Sequence, residues 1–324
     1  MKTISLIAVA AMAVSAGAAF AGDLPSTKAP VLAPVSVSPW DFDVGAGVTT
    51  DYIFRGITQS NHQASVSAHG ELRYNVNDTW QLYGGISGES IKFSPNYFPA
   101  GSPSMELDGD AGVRGTFGAA SFDLGGIVYG YPNSPTGVNV AYYGGAVQLI
   151  GLSPRNPTFF EVYIKPSYTV NDMLTVGGNF FYTPSYLNTG ANGEYLSGTA
   201  KLTLPGALSA FSLSGELGYQ WLGTVDSVYL NNNNNPTYNY IAGGYGGYAA
   251  GKLPDYLYWN VGLSYAYKFV TLDVRYYGTN LSKSAAYQLT GIPNSAAPGV
   301  TQSSYGQQAI VGTISFDLTS KDLK

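Results

Sequence analysis

From position 40 onward, apolar and polar residues alternate with period two in segments of roughly 9 to 14 residues, the length and period of tilted strands that cross a bilayer. In FDVGAGVTTDYIFR the even positions are Phe42, Val44, Ala46, Val48, Thr50, Tyr52 and Phe54, while the odd ones include Asp43, Asp51 and Arg55. QASVSAHGELRYN repeats the arrangement, setting Val66, Ala68, Leu72 and Tyr74 against Ser67, His69, Glu71 and Arg73. Helical periodicity is hard to find. The alternation predicts twelve strands, near 42–55, 63–75, 79–91, 104–117, 121–131, 159–169, 173–183, 194–204, 211–222, 256–268, 271–279 and 307–318.

The connections between these segments alternate in character. Every second one is a short turn (NVND, GAA, TVND, PGALSA, FV), and the others are longer, including 132–158, 223–255 and 280–306. Short turns on one rim and long loops on the other are the asymmetry of an outer-membrane barrel, whose turns are periplasmic and whose loops are extracellular. Both termini are then expected in the periplasm. VNVAYYGGAVQLIGL, Val138 to Leu152, reads as a further strand inside a loop, and a count of fourteen would need one more partner, since single-chain bacterial barrels have even numbers.

Charge placement sharpens the assignment. The register read from the apolar positions sets the Asp, Glu, Lys and Arg residues of the twelve segments on the opposite, inward face. A lipid-facing charge near the bilayer centre costs about 2 to 4 kcal/mol, which explains such exclusion. Aromatics collect on the apolar face at both ends, as the interfacial girdles of a barrel do. Tyr74, Trp80, Phe117, Phe122, Tyr168, Phe211, Tyr267 and Phe316 stand at the short-turn rim, and Tyr52, Phe54, Phe160, Tyr182, Trp221, Trp259 and Tyr276 at the long-loop rim. Ile91, Ile127, Tyr129, Met173 and Phe181 break the pattern by falling on the polar face.

MKTISLIAVAAMAVSAGAAFA, residues 1–21, has one Lys, an apolar run of small residues and Ala19-Phe20-Ala21 as a cleavage site, and reads as a removable signal peptide. Residues 22–39, with Pro25, Pro30, Pro34 and Pro39, read as an extended periplasmic lead-in. The barrel domain is expected over 40–324.

Composition agrees with a chain much of whose surface avoids water. Only 11% of it is charged, against about a quarter in soluble domains. The net charge of -5 argues against nucleic acid, because phosphate neutralisation needs a basic stripe. Cysteine is absent and only His62 and His69 are available, which excludes disulfides, thiolate sites and a histidine-rich metal centre. No cofactor is expected.

The candidate chemistry lies on the inward face. Arg55 is a candidate constriction residue oriented by Asp51, with an ion-pair lattice bracing the wall as the structural alternative. Placed four apart on one strand, the two would stand about 13 Å from one another, and the region of Ser67 to His69 is the expected neighbour of Asp51. MELDGDAGVRG puts Glu106, Asp108, Asp110 and Arg114 on one face, successive carboxylates about 7 Å apart, as a cation site, a selectivity strip or an acidic face neutralised by Arg114 and basic neighbours. The remaining pore-lining candidates are His69, Glu71, Arg73, Glu161, Lys165, Lys201, Glu216, Asp273 and Arg275. Ser67 and His69 share a face, but residues two apart on a strand stand about 7 Å apart, beyond the reach of a catalytic couple. NNNNNPTYNY and GGYGGYAAG read as loop sequence.

TTDYIFRGITQSN resembles the signature of the TorF-type porin family, long filed as bacterial outer-membrane proteins of unknown function, with Tyr52, Phe54, Arg55, Gly56 and Gln59 matching. FFEVYIKPSYTVNDMLTVGGNFFYTPSY extends the resemblance, which spans most of Trp40 to Leu318 and departs in the inserts 132–158 and 223–255 and in the C-terminus, where the chain runs past Phe316 to DLTSKDLK. It implies a porin and leaves the solute open.

The expected protein is therefore all-β, a transmembrane antiparallel barrel of about twelve strands in a Gram-negative outer membrane. Its expected role is passive diffusion of ions or small hydrophilic solutes through a narrow, weakly cation-preferring pore, not catalysis. A closed structural or surface-interaction barrel is the alternative. Outer-membrane lipid, lipopolysaccharide and the barrel-assembly machinery are the expected partners.

Overall fold

Strand alternation needs a closed sheet if both faces are to be satisfied without exposed edges. The computed structural model describes residues 39–93, 103–134, 139–143, 146–150, 155–226, 251–294 and 302–323. The expected signal peptide, nearly all of the Pro-rich lead-in, NNNNNPTYNY and most of GGYGGYAAG lie outside the described residues. In chain order the strands are β1 (Trp40–Thr49), β2 (Ile53–Phe54), β3 (Ile57–Thr58), β4 (Ser65–Asn75), β5 (Trp80–Ser90), β6 (Met105–Phe117), β7 (Ala120–Gly130), β8 (Asn139–Tyr143), β9 (Ala146–Ile150), β10 (Phe159–Thr169), β11 (Leu174–Thr183), β12 (Gly193–Thr203), β13 (Phe211–Leu222), β14 (Tyr256–Tyr267), β15 (Val270–Thr279) and β16 (Ala309–Thr319).

Twelve of these close into one barrel in the order β1, β16, β15, β14, β13, β12, β11, β10, β7, β6, β5, β4. All twelve pairings are antiparallel, and β1 closes the ring by pairing with both β16 and β4. The segment around 138–152 forms a separate two-stranded sheet, β8 with β9, so the barrel has twelve strands and not fourteen.

The short turns are built by their side chains. Asn77 Oδ1 accepts from the amides of Thr79 and Trp80, and Asn171 Oδ1 accepts from those of Met173 and Leu174, all at 2.9 Å. The two V-N-D sequences thus make the same Asx-type turn. Met173 belongs to that turn and is exposed, so it is not a lumen residue.

The outer face is apolar around the ring, from Val44 and Val48 through Ile86, Leu124 and Leu217 to Val274, Ile310 and Ile314, all exposed. At the short-turn rim Trp80 meets Phe117 and Phe122 with ring centroids 5.6 and 5.7 Å apart, and Trp40 meets Tyr74 at 4.9 Å. One charge departs from the expected register. Glu194, second residue of β12, shares the outward parity of Leu196 and lies opposite Trp221, at the long-loop end of the barrel.

The first strand is the main difference from expectation. It ends at Thr49, and the alternating residues that follow leave the wall. Tyr52 is buried inside and Phe54 is partly buried against the interior cluster, so neither belongs to an outer girdle. Instead β2 and β3 pair as a miniature hairpin, Ile53 with Thr58 and Phe54 with Ile57. Arg55 and Gly56 form its two-residue loop with φ of 45° and 82°, the positive pair that a type I′ turn requires. A Cβ on Gly56 would stand 2.3 Å from Thr279 Cγ2, so glycine serves both the backbone conformation and the close approach.

Candidate functional site: an inward hairpin and the lumen below it

The hairpin crosses the whole lumen. In the closed order β11 lies six strands from β1 in either direction, so it stands on the far wall, flanked by β10 and β12. Arg55 starts from the end of β1 and reaches that far wall. Its Nη1 donates to Glu161 Oε1 at 2.9 Å and its Nη2 to Glu161 Oε2 at 2.7 Å, a bidentate fork onto β10. Nη1 also donates to Gln220 of β13 at 3.0 Å. The guanidinium carbon lies 4.4 Å from the Tyr195 ring centroid, 4.8 Å from Phe181 and 4.7 Å from Phe54. A left-handed backbone costs an arginine about 1 to 3 kcal/mol, which the fork and the cation-π contacts offset.

Further bonds hold the hairpin at its sides. Tyr52 donates its hydroxyl to Glu106 of β6 at 2.5 Å. The Thr58 amide donates to the Tyr305 carbonyl, and the Lys92 amide to the Gln59 carbonyl, both at 2.9 Å, tying it to the last and second long connections. The last connection carries the helix α1 (Lys283–Thr290), capped by Ser282, whose side chain accepts from the Ala285 amide. Thr279 on β15 donates to the Gly306 carbonyl at 2.6 Å, so that connection is itself fastened to the wall.

Asp51 lies inside, as its parity suggested, but its neighbours are those of the hairpin itself. It accepts from the Thr58 and Ser60 hydroxyls at 2.5 and 2.9 Å, and His62 Nδ1 lies 2.8 Å from its other oxygen. It does not touch Arg55 or the region of Ser67 to His69. His62, in the connection outside the wall strands, also places Nε2 3.2 Å from the Ser304 carbonyl. The Asp51 bond raises the His62 pKa above its usual value of 6.5. Both ring nitrogens face acceptors, an arrangement suited to imidazolium.

Departures from alternation now have a cause. Ile91, Ile127, Tyr129 and Phe181 are buried inside with Tyr52, Ile53 and Ile57 of the hairpin, together with Tyr186, Tyr256, Tyr258 and Tyr305. Apolar residues are needed on the inward face because they pack against a plug and not against water.

Toward the short turns, the lumen is spanned by charge. Arg114 makes a fork to Glu71 at 2.8 and 2.7 Å, donates to Asp123 at 3.1 Å and covers the Tyr83 ring at 3.8 Å. Arg73 donates to the same Glu71 and to Asp43 at 2.7 Å. The Tyr83 hydroxyl bonds Asp123 at 2.6 Å and also the Tyr163 hydroxyl. Arg114 therefore makes its ion pairs with Glu71 and Asp123; of the carboxylates on its own strand its charge, with that of Lys165, acts on Asp110 but not on Glu106 or Asp108. His69 faces Asp43 at 3.5 Å and Asp317 at 3.7 Å, whereas the Ser67 hydroxyl goes to the Gly47 carbonyl, so the two form no couple.

On the other side of the lumen is a polar cavity of about 80 Å³, lined by Lys165, Asn179, Lys201, Glu216, Asn260 and Arg275. Arg275 donates to Asn260 at 2.6 Å, to Ser214 at 2.8 Å and to Asp273 at 3.2 Å. Glu216 accepts from Tyr195 at 2.8 Å and Asn179 at 3.1 Å. The pore-lining candidates thus separate into four groups: the hairpin with its Glu161 socket, the charged lattice, this cavity, and the acidic strip of Glu106, Asp108 and Asp110 on β6. Sequence reading missed Gln220, Asp123, Asn260 and Tyr195. The parity of each marks it as inward, but only neighbouring strands decide its partner.

The sequence profile of Gcw_chp, described as a bacterial protein of unknown function, matches residues 34–229. No match was found among curated proteins. Among solved structures, the NanC porin is similar over 86% of this chain and 100% of its own, at 10% identity and a TM-score of 0.46. The KdgM porin is similar over 85% and 98%, at 11% identity and a TM-score of 0.39. An outer membrane channel from Pseudomonas putida F1 is similar over 88% and 97%, at 11% identity and a TM-score of 0.40.

Proposed function

The chain belongs to the Gcw_chp family of bacterial proteins of unknown function, and from that premise we propose that it is a narrow outer-membrane channel for ions or small hydrophilic solutes, closed at its long-loop mouth by the Arg55 hairpin. An apolar exterior around the whole ring, bounded at the short-turn rim by aromatic clusters, calls for lipid contact, and twelve strands leave an interior between the filled eight-stranded barrels and the open sixteen-stranded ones. In this reading the short turns and both termini face the periplasm and the long loops face outward into the lipopolysaccharide leaflet, after insertion by the barrel-assembly machinery. The narrower assignment, to the TorF-type porins, rests on Tyr52, Phe54, Arg55, Gly56 and Gln59, which are residues of the plug itself.

The observation that carries this reading is the lock between Arg55 and Glu161. It is a non-covalent polar contact on the far wall above a polar cavity, so the hairpin can leave its socket without breaking the sheet. Mechanism is then size exclusion, with acidic groups at the mouth favouring cations. A second reading, a closed structural or surface-interaction barrel, is favoured by how completely the hairpin is enclosed, Thr58 and Ser60 being all but inaccessible. Swelling of proteoliposomes in graded solutes separates the two. Solute-dependent swelling by the wild type or by Arg55→Ala supports the channel; no swelling by either supports the closed barrel.

A further inference from the structure

Among the described residues, three carboxylates at the mouth have no basic partner. Glu89 on β5 and Glu106 on β6 lie directly opposite in register, and Asp108 is the next inward residue of β6. Like charges directly opposite across a strand pair are destabilising, more so away from water. All three are buried, each with only 2% of its surface accessible. Both oxygens of Glu89 lack any hydrogen-bond donor, and the Gly130 amide approaches Asp108 only outside hydrogen-bond geometry. The charged groups that bear on Asp108 are Glu106, Glu89 and Asp110, all acidic. The nearby arginines are committed elsewhere, Arg55 to Glu161 and Arg114 to Glu71 and Asp123.

We propose that Glu89, Glu106 and Asp108 bind a hard divalent cation of the Ca2+ class inside the barrel mouth. One oxygen from each lies within 4.8 Å of the other two. Two ligands on opposite sides of one Ca2+, each at about 2.4 Å, are separated by that same distance. Magnesium needs shorter bonds, and an all-oxygen set without Cys or His disfavours the softer metals. Water completes the shell. Glu106 also accepts from Tyr52 and Tyr131, so the ion shares a ligand with the hairpin, and its binding firms the wall on which the plug rests. The site stands whether or not the barrel conducts.

The test uses the full barrel refolded in detergent free of lipopolysaccharide, stripped with chelator and titrated with radiolabelled Ca2+. The wild type is expected to hold a single Ca2+ per chain at or below about 1 mM free ion. Glu89→Gln and Asp108→Asn should each weaken binding by about 10-fold or more, since loss of an outer-shell contact alone costs about that much. Terbium binding gives an independent readout on the wild type: luminescence excited through Tyr52 and Tyr131 is expected and should be displaced by Ca2+. No stoichiometric Ca2+ in the folded wild type, no tyrosine-sensitised terbium signal, or unchanged affinity in both variants would overturn the site.

Discussion

Arg55 and Glu161 stand 106 residues apart in sequence, on opposite sides of the barrel, and meet in a two-bond fork with the carboxylate almost wholly enclosed. Removing one partner strands the other. Arg55→Ala leaves Glu161 with the Tyr129 hydroxyl at 3.1 Å as its remaining side-chain donor, at a cost of about 3 to 5 kcal/mol to the plugged state. Chymotryptic cleavage after Phe54 should be slow in the wild type and fast in Arg55→Ala and in Glu161→Ala, with the strand signal in circular dichroism retained. Equal protection in all three would show that the fork does not hold the hairpin.

Gly56→Ala meets two penalties, a positive φ and a methyl group 2.3 Å from Thr279 Cγ2. The expected loss is about 1 to 3 kcal/mol of hairpin seating. Thr279→Ser removes the opposing methyl and should recover part of it, which protease protection of the double variant would measure. No recovery would place the whole effect in the backbone.

His62 links the hairpin to the last long connection through Asp51 and the Ser304 carbonyl. Its pKa is raised in the folded protein, so its stabilising contribution is fully present below about pH 6.5 and is lost as pH rises through the raised value. Protection of the hairpin should therefore fall on going from acid to alkaline buffer, and His62→Gln should flatten that profile. A profile that rises with pH in the wild type would contradict the assignment.

The two faces of one strand should tolerate charge unequally. Val261, at the middle of β14, faces outward, and Val261→Arg should cost about 2 to 4 kcal/mol in a bilayer. The neighbouring Asn260 already sits among Glu216, Arg275 and Tyr258, so Asn260→Asp should cost less. Denaturant unfolding in lipid vesicles compares the pair.

Why the strands were legible and the plug was not follows from the range of the forces. Period-two alternation and the turn residues of NVND and TVND are local, and they located eleven of the twelve wall strands to within two residues at each end, while the first overran its true end at Thr49 by six. Beyond Thr49 the alternation of Asp51, Tyr52, Phe54 and Arg55 continues although the chain has left the wall, because a buried hairpin also has two faces. The local signal that could have ended the strand is Arg55-Gly56 flanked by Ile53-Phe54 and Ile57-Thr58, a two-residue loop between two short β-prone pairs. Its arginine disguised it, since Asn or Asp is the usual partner of glycine there. Ile127, Tyr129 and Phe181 were visible as violations of the polar face, but their reason lay in a hairpin folded in from residues 52–58. Likewise Arg114, read as the neutraliser of its own strand, is claimed by Asp123 on the neighbouring β7 and by Glu71 on β4, two strands away on the other side.

The central claim is that the lumen is closed by a hairpin held on the far wall by Arg55. Single-channel recording of the wild type and of Arg55→Ala in planar bilayers tests it most directly. The account predicts small or rare openings in the wild type and a larger, longer-lived, cation-preferring conductance in the variant. Equal conductance in the two proteins, with the hairpin of the variant shown by protease to be released, would contradict it.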